Sequence, residues 1–297
     1  MSEAGVPVCY RHPTRETWVR CTRCERAICP DCMHSAAVGQ QCPDCVAEGR
    51  RTQRSGRTVF GGGPTGQHGY VTKALLSLNI TVMVLSALSA GGAGLLGGGF
   101  GGLVGGTTPL TEWGGLLARQ DFPAVAGVYH GEYYRLVTAM FLHYGIVHLA
   151  LNMWALWMFG RYLEAALGPL RYLGLYLLSG LGGNVAAYLF SDPYAVTVGA
   201  SGAVFGLFGA LFVFQRRLGN DTSSVLTVLA VNLAFTFAVP GISWSAHVGG
   251  LVVGTLVALV LAYAPRRHRT VFQAGGCVVL LGILLVLIAF GTLQLTA

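Results

Sequence analysis

The sequence is short of charge. Only 10% of its 297 residues are Asp, Glu, Lys or Arg, against about 25% in an ordinary globular domain. Lys73 is the single lysine beside 18 arginines, and the 12 acidic residues avoid the apolar runs. Cysteine is missing from most of the chain: seven of eight lie within the first 45 residues, and Cys277 stands alone in an apolar run. Each scarcity excludes something. So few charges cannot clothe a water-exposed globule of this size. Cysteines gathered at one end exclude a disulfide framework for the rest. The lack of membrane acids and of an internal repeat argues against a transporter or channel. No apolar run opens the chain, so no signal peptide is expected, and the first segment is expected to stay in the reducing cytosol.

What is present belongs to a membrane protein. Hydrophobic residues make up 53% and the mean hydropathy is +0.58. Seven apolar runs stand out, near 73–93, 136–160, 170–190, 201–215, 224–240, 244–264 and 271–293. A span needs roughly 20 apolar residues; the fourth and fifth runs are short, which is tolerable for helices enclosed by other helices. The net charge of +7 follows from positive cytoplasmic loops and calls for no nucleic-acid partner. Arg161 and Arg171, Arg216 and Arg217, and Arg266, Arg267 and Arg269 fall in alternate loops, on the side of the basic N-terminus. Arg119 and Arg135 lie on the other side with Glu112, Asp121, Glu132 and Asp192. The expected topology is N-terminus inside and C-terminus outside. The external connection 94–135 is long, mostly glycine over 91–106, and its Trp113, Leu116, Leu117, Phe122, Tyr133 and Tyr134 suit a membrane interface.

The polar end, residues 1–49, carries four ligand pairs: Cys9 with His12, Cys21 with Cys24, Cys29 with Cys32, and Cys42 with Cys45. Eight thiolate and imidazole ligands make two tetrahedral sites, and zinc suits them. An interleaved pairing is favoured, with Cys9, His12, Cys29 and Cys32 on one ion and Cys21, Cys24, Cys42 and Cys45 on the other. His34 is a spare, more plausibly solvated. The segment resembles the B-box-type zinc finger. Two structural Zn2+ ions are expected, in a module that is either a passive cap or a dock for a cytosolic partner. Residues 50–72, with Arg50, Arg51, Arg54 and Arg57 among Ser, Gly and Thr, read as a basic flexible linker.

Chemistry points to a few polar residues in the apolar runs: His143, His148, Asn152, Ser201 and His247. On the expected topology His148, Asn152, Ser201 and His247 share one depth, just below the outer surface. Ser201 and His247 then make a nucleophile and its base. His148, Asn152 and the Ser201 N–H are candidate oxyanion donors. No acid is placed to complete a triad. Phe205, one turn after Ser201, can lie on the His247 ring. Gly250 and Gly254 fall on the His247 face and would let the fourth and sixth spans approach closely.

Over residues 132–263 the chain resembles the rhomboid family of intramembrane serine proteases. The matching motifs are Glu132-x-x-Arg135, His148-x-x-x-Asn152, Gly160-Arg161 with Glu164, Gly199-Ala200-Ser201-Gly202 and Ala246-His247-x-Gly249-Gly250-x-x-x-Gly254. The resemblance implies an all-α polytopic membrane protein, with a six-helix core over 73–264 and, over 265–297, a cytoplasmic loop and a seventh helix. It implies a Ser201–His247 dyad, an oxyanion site from His148, Asn152 and Ser201 that Gly199 helps shape, and structural roles for Glu132 and Arg135. His143 is expected to be a buried hydrogen-bonding residue. Phe205 stands where some members carry Tyr. Catalysis would need no cofactor. Substrates would be membrane proteins cut near the external end of a transmembrane segment, in a bilayer expected to be a bacterial plasma membrane. The alternative is a catalytically silent, rhomboid-like adaptor whose zinc module recruits a partner.

Overall fold

The computed structural model describes residues 5–52, 56–63, 69–91, 106–121 and 126–296. Most of the glycine-rich stretch, with Phe122 and Arg54, lies outside them. The chain divides into two compact units, Met1–Gly56 and Arg57–Ala297.

The first unit is small and mixed. Strands β1 (Val8–Cys9) and β2 (His12–Glu16) pair antiparallel, as do β3 (His34–Ser35) and β4 (Gln40–Gln41), and helix α1 covers Pro43–Thr52. Its buried hydrophobic residues are six of the cysteines and Ile28, so apolar packing alone holds little of it together. Arg50 and Arg51 sit in the last turn of α1, where cations suit the helix dipole. At the other end of the expected linker, Phe60 is 3% exposed and packs on Phe214.

The second unit is helical. Helix α2 (Tyr70–Ser89) buries Thr72, Leu75, Asn79, Met83 and Ser86, a stripe at three- and four-residue spacing. Three of those five are polar, while Leu78, Val84, Leu85 and Leu88 are exposed. This inverts the usual amphipathic pattern and suits a helix whose outer solvent is lipid. Glu164, fully buried, accepts the Val71 and Thr72 N–H groups at 2.9 and 2.8 Å. An unpaired N-terminus in an apolar medium is thereby closed by a carboxylate.

The next elements are α3 (Pro109–Gly114), α4 (Arg135–Thr138), α5 (Ile146–Leu167), α6 (Pro169–Phe190), α7 (Ser201–Leu218), α8 (Ser223–Ala238), α9 (Trp244–Tyr263) and α10 (Arg269–Thr296). Of the described helices, α2, α6, α9 and α10 are long and apolar enough to cross a membrane. The expected continuous run 136–160 is broken: Arg135–Phe141 and Ile146–Leu167 meet at 89°. Gly145, fully extended at φ −179°, interrupts the helical backbone there. Helix α7 buries 12 of its 18 residues, and α8 has only 16 residues; both match the short fourth and fifth runs. Helix α10 packs on α6 and α9 through Tyr188–Thr292, at 3.0 Å, and Gln273, which donates to the carbonyls of Phe60 and Leu261 at 3.1 and 2.8 Å.

The described part of the connection between α2 and α4 is folded onto the helices. Leu116 and Leu117 are 2% and 4% exposed, because Leu116 and Thr197 exchange both backbone hydrogen bonds at 2.8 Å. These two leucines belong to the protein interior and not to the membrane interface. Arg135 ties the segment down: Nε meets Glu132 at 2.7 Å, and Nη1 donates to the carbonyls of Glu112 and Gly115 at 2.7 and 2.9 Å. Burial pushes the Glu132 carboxyl up, but the Gly127 N–H and Arg135 outweigh it, so its pKa is lowered. Glu132 therefore stabilises the fold above the pKa of the unfolded chain, and that contribution disappears as pH falls through the lower folded value.

Helices α7 and α9 touch through glycine. A Cβ on Gly250 would overlap the Gly202 carbonyl, and one on Gly254 would overlap Gly206. Gly275 on α10 has open space around it. G250A is therefore expected to lower the thermal unfolding midpoint, at a cost of about 1–3 kcal/mol or more. G275A should leave it unchanged or slightly raised. Differential scanning fluorimetry of the detergent-solubilised chain compares the two.

Candidate active site

The site begins at the start of α7. Gly199 has φ +135°, a backbone setting that side chains rarely adopt, and its N–H donates to the Ala139 carbonyl at 2.9 Å. A Cβ there would lie 2.8 Å from His148 Cε1 and Nε2 and 3.5 Å from Ser201 Oγ. The bare glycine thus keeps open the point on which His148 and Ser201 converge. Ser201 is the first residue of α7, where backbone N–H groups have no intrahelical acceptor and the helix dipole is positive.

His247 comes from the first turn of α9, which Ser243 opens by accepting the Ala246 N–H. Its Nε2 lies 2.8 Å from Ser201 Oγ. Phe205 stacks on the imidazole with centroids 4.2 Å apart at 17°. Its Nδ1 lies 2.7 Å from Thr236 Oγ1. Thr236 was not among the sequence candidates. The one signal available was its pairing with Asn232 four residues earlier, which puts two polar groups on one face of an apolar helix.

Helix α5 supplies His148 and Asn152 from its first two turns. Asn152 Nδ2 donates to the His148 carbonyl at 2.9 Å, leaving its second amide hydrogen for another acceptor. His143 is buried as expected, but neither ring nitrogen has a hydrogen-bond partner among the described residues. It meets the His148 ring edge-on instead, at 5.0 Å. Tyr144 stacks on the other side of His148 at 5.9 Å and donates to the Val196 carbonyl. Ser201, His247, His148, Asn152, Phe205 and Thr236 line one cavity of about 130 Å³. Leu151, Ala155, Val204 and Phe208 line it too. Glu132 and Arg135 stand apart, in the external segment.

The arrangement has the parts of a covalent catalyst: a hydroxyl on a ring nitrogen, a second partner on the opposite nitrogen, and free N–H donors beside the hydroxyl. It is also an assembly of neutral groups, as an apolar surrounding requires.

The cysteine-rich unit holds a different kind of site. Cys9, His12, Cys29 and Cys32 form one group and Cys21, Cys24, Cys42 and Cys45 another, each with its ligand atoms within 4.8 Å of one another. His12 Nδ1 faces the sulfurs of Cys29, Cys32 and Cys9 at 3.2, 3.4 and 3.8 Å, and Cys24 and Cys42 sulfurs lie 3.7 Å apart. A tetrahedral ion with bonds of about 2.3 Å to sulfur and about 2.0 Å to nitrogen gives edges of roughly 3.5–3.8 Å. The donor sets therefore fit a metal ion each, and they are the interleaved pairs expected from spacing. Burial raises the Cys21 thiol, but the N–H groups of Cys42, Arg23 and Cys24 outweigh it and bring it down to about 6. Arg26, at 3.3 Å, lowers Cys24 likewise. His34 is exposed in β3, away from both groups.

Comparison with known proteins gives the family of the helical unit. Residues 130–264 match the rhomboid domain. The chain is 42% identical over 139 residues to Rhomboid protease GluP of Bacillus subtilis, covering 44% of this chain and 26% of GluP. It is 37% identical over 150 residues to the mitochondrial RHOMBOID-like protein 6 of Arabidopsis thaliana, covering 48% of each. It is 37% identical over 147 residues to YdcA, a Bacillus subtilis rhomboid, covering 48% of this chain and 74% of that protein. The chain belongs to the rhomboid family and is an integral membrane protein. It spans about a quarter and a half of the lengths of the first two relatives, and the rhomboid-domain match stops short of the cysteine-rich unit.

Two metal equivalents per chain are expected on purification without chelator. C29S should release one and retain the other, read by elemental analysis of the purified variants.

Proposed function

We propose that the chain is an intramembrane serine endopeptidase. The observation that carries this is the 2.8 Å contact between Ser201 Oγ and His247 Nε2, which line a mostly apolar cavity. Ser201 attacks the scissile carbonyl while His247 Nε2 takes its proton. The oxyanion is stabilised by the Ser201 N–H at the helix start, by His148 and by Asn152. As the tetrahedral intermediate collapses, His247 returns the proton to the leaving amine and the acyl-enzyme remains. Water attacks the ester, its proton passes to His247 and on to Ser201 Oγ, and the carboxylate product leaves.

The substrate is a transmembrane segment of another membrane protein, unwound near its external end so that its backbone reaches the cavity. The orientation places the N-terminus in the cytoplasm and, with seven spans, the C-terminus outside, in a bacterial plasma membrane. The alternation of arginine-bearing loops supports it. Residues 1–49 hold two structural Zn2+ ions and dock a cytosolic partner, and the B-box-like ligand order supports that reading.

S201A and H247A are each expected to cut turnover of a transmembrane model substrate in proteoliposomes by about 10³-fold or more. N152A and H148A should cost about 10²–10³-fold. A fluorophosphonate should label wild type and not S201A. An inert Ser201 in folded wild type would instead favour the silent adaptor.

A further inference from the structure

The histidine of the dyad has two nitrogens, and the second is held by a residue outside every motif that marks the site. Thr236 lies on α8, is 3% exposed, and has its hydroxyl 2.8 Å from the Asn232 carbonyl and 2.7 Å from His247 Nδ1. A hydroxyl carries one proton. If it goes to Asn232, Thr236 Oγ1 must accept from His247 Nδ1–H. Nε2 is then bare and accepts from Ser201 Oγ–H. Three hydrogen bonds form in that arrangement. If the proton goes to Nδ1 instead, the ring must carry its hydrogen on Nε2. The hydroxyl bond to Asn232 is lost, Ser201 has no acceptor for its own proton among the described residues, and the ring is no longer a base toward Ser201. The first arrangement has one bond more and leaves no donor idle.

Building on the dyad reading above, we propose that Thr236 is a positioning residue. Relayed from the Asn232 carbonyl, its hydroxyl fixes His247 in the Nδ1–H tautomer and so keeps Nε2 free for Ser201. A neutral hydroxyl here does what an acid does in a triad, orienting the ring and choosing its tautomer, without bringing a charge into a mostly apolar cavity. Phe205, stacked on the ring face, limits tilting but cannot select a tautomer, since it offers no hydrogen bond. The ring is thus held by two elements with separate duties.

The variants to compare are Thr236→Val, which keeps the shape and removes the hydroxyl, and Thr236→Ser, which keeps the hydroxyl. With a transmembrane model substrate in proteoliposomes, T236V is expected to lower kcat by about tenfold or more with KM within about twofold, and T236S to stay within about threefold of wild type. In ¹⁵N-histidine-labelled protein, with the His247 signals identified by their loss in H247A, the neutral wild-type ring should carry its proton on Nδ1. T236V should shift it toward the Nε2–H form, and T236S should not. A wild-type ring protonated on Nε2, or a T236V enzyme with unchanged kcat and unchanged ring signals, overturns the proposal. S201A run alongside separates the two levels. If S201A still cleaves, the dyad reading fails, whatever the tautomer. If S201A is inert while T236V matches wild type, only the role of Thr236 falls.

Discussion

The contact between α7 and α9 is the constraint on which the site depends. Gly202 faces Gly250 and Gly206 faces Gly254, backbone to backbone, with no room for a side chain between them. In lipid no hydrophobic gain rewards the meeting of two apolar helices, so close approach and dispersion must supply the attraction. The approach has a second effect. Ser201 and His247 both stand at the opening turns of those helices, so the glycines that bring the axes together also bring Nε2 to 2.8 Å from Oγ. Packing and chemistry are set by one small-residue seam, and a methyl group added to it would be felt in both.

Around that seam, several buried polar groups find backbone partners. Glu164 closes the start of α2. Arg135 holds the carbonyls of the external segment. Asn184 donates to the Leu136 carbonyl at 2.9 Å. Each is a polar group that would be costly in hydrocarbon and is instead matched with a backbone group that would be equally costly unpaired. The candidate site is also linked by side-chain contacts, with Ser201, His247 and Thr236 in a row.

The two units were legible from sequence to different degrees. In the cysteine-rich unit, ligand identity and interleaving could be read from spacing, because eight ligands in four pairs leave few tetrahedral groupings and the metal geometry is strict. In the helical unit the motif residues could be picked out as the few polar groups in apolar runs, and the structure gathers His148, Asn152, Ser201 and His247 around one cavity. The break at Gly145 could not. The apolar run crosses it unchanged, and hydropathy has no term for an 89° turn. Leu116 and Leu117 were misplaced for a related reason: composition marks them as apolar without saying whether lipid or protein covers them. His143 was assigned a hydrogen bond on chemical grounds, and packing gave it an imidazole edge instead.

The amino-acid pattern by itself therefore determined the membrane class, the family, the metal-ligand groupings and the candidate dyad, since these rest on residue types at fixed spacings along one helix or loop. What only the tertiary structure decided is which groups from different helices face each other: Thr236 on His247 Nδ1, and Gly199 bare where His148 and Ser201 converge. The physical reason is that a hydrogen bond between helices depends on angles and distances of a few tenths of an ångström, set by the packing of all their neighbours. Local sequence carries no record of them. Thr236 is eleven residues from His247 along the chain and on another helix, and only folding makes it the partner of Nδ1.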